Sequence, residues 1–496
     1  LYQCLKDAAE EERDRTYLFN ERRSYSFLQT FNESVAIAND LYKFGIKDGS
    51  LVALRITRSL DSVLIFFALQ ILGAVTALID PHKKVGQSIQ ECNENFNPQF
   101  VITNEGHTMD ISANGGWKIK DCASGLAVNL TVSYPARREA ELFNVNTDGT
   151  KPAIMAFTSG STGEYKAVVH SRFSFTSDIF EVYKRYSYSK DNTVIDVLPL
   201  CYLYAMALLV FPSIAARFKV FIPESIKPEI ILGYIGKYNV DYILGVPSYY
   251  KRLAEAAYCP IGKPILGMIS GAPCPKEDFA FIEDKLKIKL IPSYGMSETL
   301  NITSNTADTP YEKRINSVGK ILPFRDVIVT DSNGNRLGGN EVGEICVKSP
   351  MLMLGYYNSE EATAKIKDAD GYLHTGDLGY IGDGNYLYIT GRKKDIIIRN
   401  GKNLSAIGIE QNLLRAGCFA EVAVVGIRDE KDGEVPCVAV VPKDGVKPDK
   451  EQLLEKIKTV LHKNELPKRI VILDKLPLLP NGKIDKQTIK KLFYDC

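Results

Sequence analysis

Residues 152–171 read PAIMAFTSGSTGEYKAVVHS. The apolar run Ile154 to Phe157 has the length and composition of a buried strand. It passes directly into Thr158, Ser159, Gly160, Ser161, Thr162 and Gly163, where hydroxyls and unobstructed backbone amides can converge on one anion. Lys166 adds a positive charge. The spacing is not that of a Walker A loop, which needs four residues between its glycines and a Gly-Lys-Ser/Thr ending. On composition alone the stretch is either a phosphate-gripping loop or a surface turn.

Outward from this stretch the chain alternates. Short apolar runs, LVALRI (51–56), FVIT (100–103), NTVIDVLPL (192–200), FKVFIP (218–223) and YILGVP (242–247), recur between amphipathic segments such as SFLQTFNESVAIANDLYKFG (26–45). That pattern predicts an α/β fold with largely parallel sheets. From about residue 323 the texture becomes short β-like pieces with Gly/Asp/Asn turns, DVIVTDSNGNRLGGNEVGEICVKSP (326–350) and GYIGDGNYLYITGRKKD (379–395), which predicts a β-rich subdomain over about 323–392. After Asp395 the runs AEVAVVGIRD, VPCVAVVP and KEQLLEKIKTVLHKN indicate a compact α+β unit. The expected division is a large domain over 1–392 and a small one over 393–496. At 496 residues the chain exceeds what one hydrophobic core organises.

With 61 basic and 60 acidic residues the net charge is +1, so no global field draws the chain to nucleic acid or an anionic membrane. Hydrophobic residues at 45% and charged residues at 24% are ordinary for a globular protein. The ten cysteines form no CxxC pair, which argues against zinc and a disulfide framework and for free thiols in a reducing, cytoplasmic setting. The start, LYQCLKDAAEEERDR, is too acidic for a signal peptide. SVLIFFALQILGAVTALIDP (62–81) approaches the length of a membrane span. Gly73 divides it into a helix-like half and a β-branched half, so it is read as a buried helix followed by a buried strand, and no integral membrane segment is expected. MALLVFPSIAARFKVFIP (206–223) repeats the helix-then-strand form.

Seven segments then occur in one order: FTSGSTGEYKAVVHS (157–171), LPLCYLYAM (198–206), ISGAPCP (269–275), SYGMSET (293–299), GYLHTGDLGYI (371–381), ITGRKKDIII (389–398) and LPNGKIDK (479–486). Together they resemble the adenylate-forming superfamily of acyl- and aryl-CoA synthetases, nonribosomal-peptide adenylation domains and luciferases. The likeness runs from about Tyr25 to Lys486. It implies activation of a carboxylic acid by ATP and Mg²⁺ to an acyl adenylate, followed by transfer to the thiol of CoA or of a phosphopantetheine arm on an acyl or peptidyl carrier protein.

Carried over by position, the resemblance assigns the loop from Thr158 to Lys166 to the β- and γ-phosphates. It assigns Tyr294 to adenine, Ser297 to the α-phosphate and Glu298 to Mg²⁺. Gly271, Ala272 and Pro273 would line the adenine and acyl pocket, with Gly295, Tyr202 and Leu203 at the acyl substrate. Asp377 would accept the ribose hydroxyls beside Arg392. Lys394 falls at the hinge on which a mobile C-terminal domain turns, and Lys483 would reach the substrate carboxylate and α-phosphate from that domain.

Departures from the pattern are informative. Leu203 stands where amino-acid-activating domains carry Asp, so a fatty or aryl acid is expected before an α-amino acid, whose ammonium an apolar side chain cannot compensate. NGKIDK resembles carrier-loading domains. In GKNLSAIGIE (401–410), Ala406 and Gly408 replace the family's Pro and Glu beside the thiol channel. Tyr165 and Ala167 replace Pro and Gly around Lys166. A luciferase-like oxygenase and a nucleotide-binding pseudoenzyme remain open as alternatives.

Overall fold

The computed structural model describes residues 1–81, 96–104, 117–122, 127–130, 132, 148–159, 165–443, 450–478 and 484–494. The expected alternation folds as read. The amphipathic segment after Tyr25 is a helix, Phe27–Lys43, opened by a capping box. The Ser26 hydroxyl accepts from the Gln29 amide, and the Gln29 side chain accepts from the Ser26 amide. The segment that resembled a membrane span is the helix Leu60–Leu72 and the strand Val75–Ile79. Between them Gly73 adopts φ 74°, and a Cβ there would meet the Asp48 carboxylate and the Arg172 guanidinium, so glycine is required on two counts. The helix is apolar over most of its surface because all of its residues but Asp61 and Gln70 are buried. Among the described residues no helix is long and apolar enough to cross a membrane.

Two sheets organise the larger part of the chain. An eight-stranded sheet has the parallel strands Pro152–Ser159, Val75–Ile79, Leu51–Arg55 and Phe100–Asn104 at its centre. Antiparallel strands flank them, including Tyr165–Ser171, which returns from the quoted loop and pairs with Pro152–Ser159. A thirteen-stranded sheet carries the parallel strands Thr16–Phe19, Lys219–Phe221, Thr193–Asp196, Tyr242–Gly245, Leu266–Ile269 and Lys289–Met296.

Lys289–Met296 belongs to two environments. Its first half, to Pro292, pairs in parallel with Leu266–Ile269. Its second half, from Ser293, pairs antiparallel with Leu300–Ser304. That ladder continues through Lys320–Ile321, Tyr386–Arg392, Leu373–Gly382, Gly343–Lys348 and Asp326–Thr330, the β-rich part of the fold. The antiparallel region is thus hydrogen-bonded onto the parallel sheet through one shared strand and begins well before residue 323.

The two sheets are tied at the carboxyl ends of their strands. Arg58 Nη1 donates to the Asp196 carbonyl at 2.8 Å and to Asp196 Oδ2 at 3.1 Å, both groups fully enclosed. Asp196 Oδ1 accepts from the Leu198 amide at 2.9 Å, which aims the LPLCYLYAM segment. There the chain forms Leu203–Ala205, a π-helical stretch Met206–Val210 and the helix Phe211–Ala216. Pro212 lacks an amide hydrogen to donate near the start of that last helix.

Past residue 393 a smaller sheet is built on the hairpin Phe419–Asp429/Gly433–Pro442 and the strands Ile396–Arg399, Lys402–Ser405 and Arg469–Ile472. Its two apolar clusters, around Ile409 and Leu413 and around Ile489 and Phe493, draw only on residues of this part. Lys251 Nζ donates across to the Ala420 carbonyl at 3.1 Å. The eight cysteines among the described residues are free thiols.

Candidate active site

Several described candidates, Thr158, Tyr202, Gly271 and Tyr294, lie at or just past the carboxyl ends of parallel strands, where an open α/β sheet offers a crevice. Three groups meet there.

The first is built on the hairpin that ends Lys289–Met296. Tyr294 lies on this strand with its ring buried, and its hydroxyl donates to Asp377 Oδ2 at 2.7 Å. Burial, reinforced by the Asp377 charge, holds the phenol far above its ordinary value, so it stays a donor. Asp377 Oδ1 accepts from Arg392 Nε at 2.9 Å, and the Asp377 amide donates to Thr375 Oγ1 at 3.1 Å. Asp377 and Arg392 face each other in the ladder of neighbouring strands. A cation, a carboxylate and a phenol separated by up to 98 positions thus share one hydrogen-bonded chain. Gly295 has a local duty at the same place: a Cβ there would fall on the Leu300 carbonyl, and Leu300 itself adopts φ 55°. This close approach lets the hairpin turn within Ser297, Glu298 and Thr299.

The second group is the turn itself. Glu298 is buried, and its Oε1 accepts from the Tyr356 hydroxyl at 2.7 Å. The Ser297 carbonyl accepts from His170 Nε2 at 2.6 Å. His170 is fully buried on the return strand Tyr165–Ser171, and burial pushes its imidazole down from 6.5 to about 4. It is therefore neutral at pH 7. Because a carbonyl can only accept, the single ring proton sits on Nε2 and Nδ1 faces Ser174 Oγ at 3.2 Å.

The third group is the quoted loop. The hairpin brings Thr158 opposite Lys166 and Ser159 opposite Tyr165. Gly160, Ser161, Thr162 and Gly163 lie outside the described residues. Lys166 Nζ stands 5.0 Å from the centre of the Tyr356 ring, the ring whose hydroxyl holds Glu298. Ala167 occupies ordinary extended strand, so this backbone does not require glycine there.

The remaining candidates are placed as follows. Gly271, at φ 85°, Ala272 and Pro273 form the loop after Leu266–Ile269, and the neighbouring Ser270 hydroxyl donates to the Ser293 carbonyl at 2.9 Å. Leu203 is packed in the main apolar core, with Tyr202 half-buried against it. Lys394 is exposed in the single turn Lys393–Asp395. Ser405 caps the helix Ala406–Arg415 by accepting from the Gly408 amide at 3.1 Å, which gives both departures in that segment a place in a helix start. Lys483 lies outside the described residues.

The sequence reading passed over His170 and Tyr356. Both are common residue types inside apolar strand segments, and only their partners, 127 and 58 positions away, single them out.

Residues 5–357 match the AMP-binding enzyme family, and residues 408–483 match the AMP-binding enzyme C-terminal domain. The chain is 28% identical over 487 residues to 2-succinylbenzoate–CoA ligase from Bacillus licheniformis, with 97% of each chain covered. Its fold superposes on ATP-bound MatB from Rhodopseudomonas palustris with a TM-score of 0.88 at 22% identity, covering 100% of this chain and 98% of that one. O-succinylbenzoate coenzyme A synthetase from Bacillus subtilis, in complex with ATP and magnesium ion, gives 0.83 at 23% identity over 98% and 99%.

Proposed function

The chain belongs to the AMP-binding enzyme family of the adenylate-forming superfamily and is an ATP-dependent, AMP-forming ligase; from that premise we propose that it joins a fatty or aryl carboxylic acid to the thiol of CoA through an acyl adenylate. The observation that carries the reading is that one hairpin carries both Tyr294, joined by hydrogen bonds to Asp377 and through it to Arg392, and, within its turn, Glu298, whose partner Tyr356 lies under Lys166.

In the first half-reaction the substrate carboxylate attacks the α-phosphorus of ATP, and the bond to the bridging oxygen of pyrophosphate breaks. Tyr294 covers the adenine, and Asp377, steadied by Arg392, accepts from the ribose hydroxyls, using lone pairs beyond those engaged by Tyr294 and Arg392. Ser297 faces the α-phosphate. Thr158 to Gly163 and Lys166 hold the departing pyrophosphate, where charge accumulates as the bond breaks. Glu298 fits a magnesium ligand: it offers a hard oxygen, and among the described residues Oε2 accepts no hydrogen bond. No cluster of three or more acidic, His or Cys side chains is needed or found among the described residues, because magnesium in nucleotide sites takes one or two carboxylates and completes its shell with phosphate and water. When bound, the ion neutralises polyphosphate charge.

Lys483 bridges the two anions as they approach, lowering their repulsion. It arrives from the C-terminal domain, which we place at 393–496 against 1–392, with the exposed Lys394 as hinge. The self-contained apolar clusters past residue 393 support that division. In the second half-reaction the thiolate attacks the acyl carbon and AMP leaves. Gly271, Ala272, Pro273, Gly295, Tyr202 and Leu203 border the acid. The apolar, buried Leu203 supports a substrate without an α-ammonium group. NGKIDK supports a second acceptor, a carrier-protein phosphopantetheine thiol.

The test is acid-dependent exchange of labelled pyrophosphate into ATP over a panel of fatty, aryl and amino acids, followed by thioester formation with CoA and with a loaded carrier protein. Exchange with a fatty or aryl acid, reduced about a hundredfold or more by Lys483→Ala, is expected. No exchange with any acid refutes the reading.

A further inference from the structure

The segment Met353–Tyr357 is wedged between the return strand of the phosphate loop and the Ser297–Thr299 turn. Its backbone is fastened on both sides. The Met353 amide donates to the Glu298 carbonyl at 2.9 Å, while the Leu354 and Tyr357 amides donate to the Val169 and Ala167 carbonyls, each at 2.8 Å. Gly355 and Tyr356 pair antiparallel with Val169 and Val168. One side chain in this wedge reaches both chemical groups. The Tyr356 hydroxyl donates to Glu298 Oε1 at 2.7 Å, and the face of its ring lies under Lys166 Nζ at 5.0 Å.

We propose that Tyr356 is a positioning residue that sets the phosphate-loop lysine and the metal-side carboxylate at a common spacing before MgATP arrives. The inference rests on the assignment of Glu298 to magnesium and Lys166 to the terminal phosphates. A carboxylate free to rotate presents either oxygen in many directions. A hydrogen bond to Oε1 removes that freedom and leaves Oε2, which accepts no hydrogen bond among the described residues, for the metal. On the other side of the tyrosine a lysine ammonium has three donors and a flexible stem, so the negative face of an aromatic ring restrains it without consuming a donor. All its hydrogen-bonding capacity remains for phosphate. The same ring therefore orders a cation and an anion that would otherwise attract one another and close the space a metal-bound polyphosphate occupies.

Two substitutions separate the two contacts. Tyr356→Phe removes the hydroxyl and keeps the ring, and Tyr356→Leu removes both. The probes are Mg²⁺ titrated at fixed ATP, with ATP binding followed calorimetrically in the absence of any acid, and the same titration in the exchange assay. Tyr356→Phe is expected to raise the half-saturating Mg²⁺ concentration about tenfold, as loss of a hydrogen bond to a charged group does. Its ATP affinity at saturating Mg²⁺ should stay close to that of the parent. Tyr356→Leu should also weaken ATP binding at saturating Mg²⁺. Glu298→Gln is run beside them. If Glu298→Gln shifts the Mg²⁺ requirement and Tyr356→Phe does not, the hydrogen bond is architectural and the proposal fails alone. If Glu298→Gln also leaves the requirement unchanged, the metal assignment fails and the proposal falls with it. The Phe variant is nearly isosteric, so the outcome does not depend on whether the Leu variant folds.

Discussion

Lowering the pH should loosen the site through His170. Its imidazole is enclosed, holds the Ser297 carbonyl through Nε2–H, and titrates near 4 in place of 6.5. The folded value is depressed, so the native state binds fewer protons than the unfolded chain between these two values. Its contribution is intact above pH 6.5 and is lost as pH falls from 6.5 to about 4, below which the difference levels off. The slope is about 1.4 kcal/mol per pH unit and the full loss about 3 kcal/mol. Other groups also titrate in this window, so the informative quantity is the difference between the parent and His170→Gln. Glutamine can still donate to the Ser297 carbonyl and carries no titratable proton. Urea unfolding at pH 7.5, 5.5 and 4.5 should show the two proteins converging as pH falls, with the parent losing about 2.5 kcal/mol more than the variant by pH 4.5. Nitrogen NMR of the imidazole supplies a local check: one proton on Nε2 and no titration above pH 6. Parallel pH slopes for parent and variant, or a His170 that titrates near its ordinary value in the folded protein, would refute the reasoning.

Gly295→Ala places a methyl group on the Leu300 carbonyl, backbone against backbone. It should destabilise the hairpin by about 2 kcal/mol or more and reduce exchange more than it lowers the melting temperature of the C-terminal part. Arg58→Leu leaves Asp196 buried without its partner and should cost about 3–5 kcal/mol, read in urea. Arg58→Leu combined with Asp196→Asn should recover part of that loss. Tyr165→Pro and Ala167→Gly should change the rate of pyrophosphate exchange and should not be needed for exchange to occur. Ala167→Gly should also weaken its strand by about 0.5–1 kcal/mol. An unmodified chain that shows no exchange, and gains it only with both changes, would contradict this.

Much of this protein was legible in the order of its residues, because the signals involved are local. Alternating apolar and amphipathic stretches follow from the periods of strands and helices, and they located the Leu60–Leu72 helix, its glycine stop and the strand beyond it. The seven ordered segments pointed to the superfamily in which the family match places the chain. They also named Tyr294, Asp377 and Arg392, which the fold brings into one hydrogen-bonded chain. Three things were decided only by tertiary structure. The strand Lys289–Met296 serves two ladders at once, a property of pairing that its own composition does not encode. His170 holds the Ser297 carbonyl, and Tyr356 stands between Lys166 and Glu298. A histidine and a tyrosine in apolar strands read as core packing until their partners are known. Those partners lie far along the chain, and a hydrogen bond depends on distance in space, which sequence separation does not record.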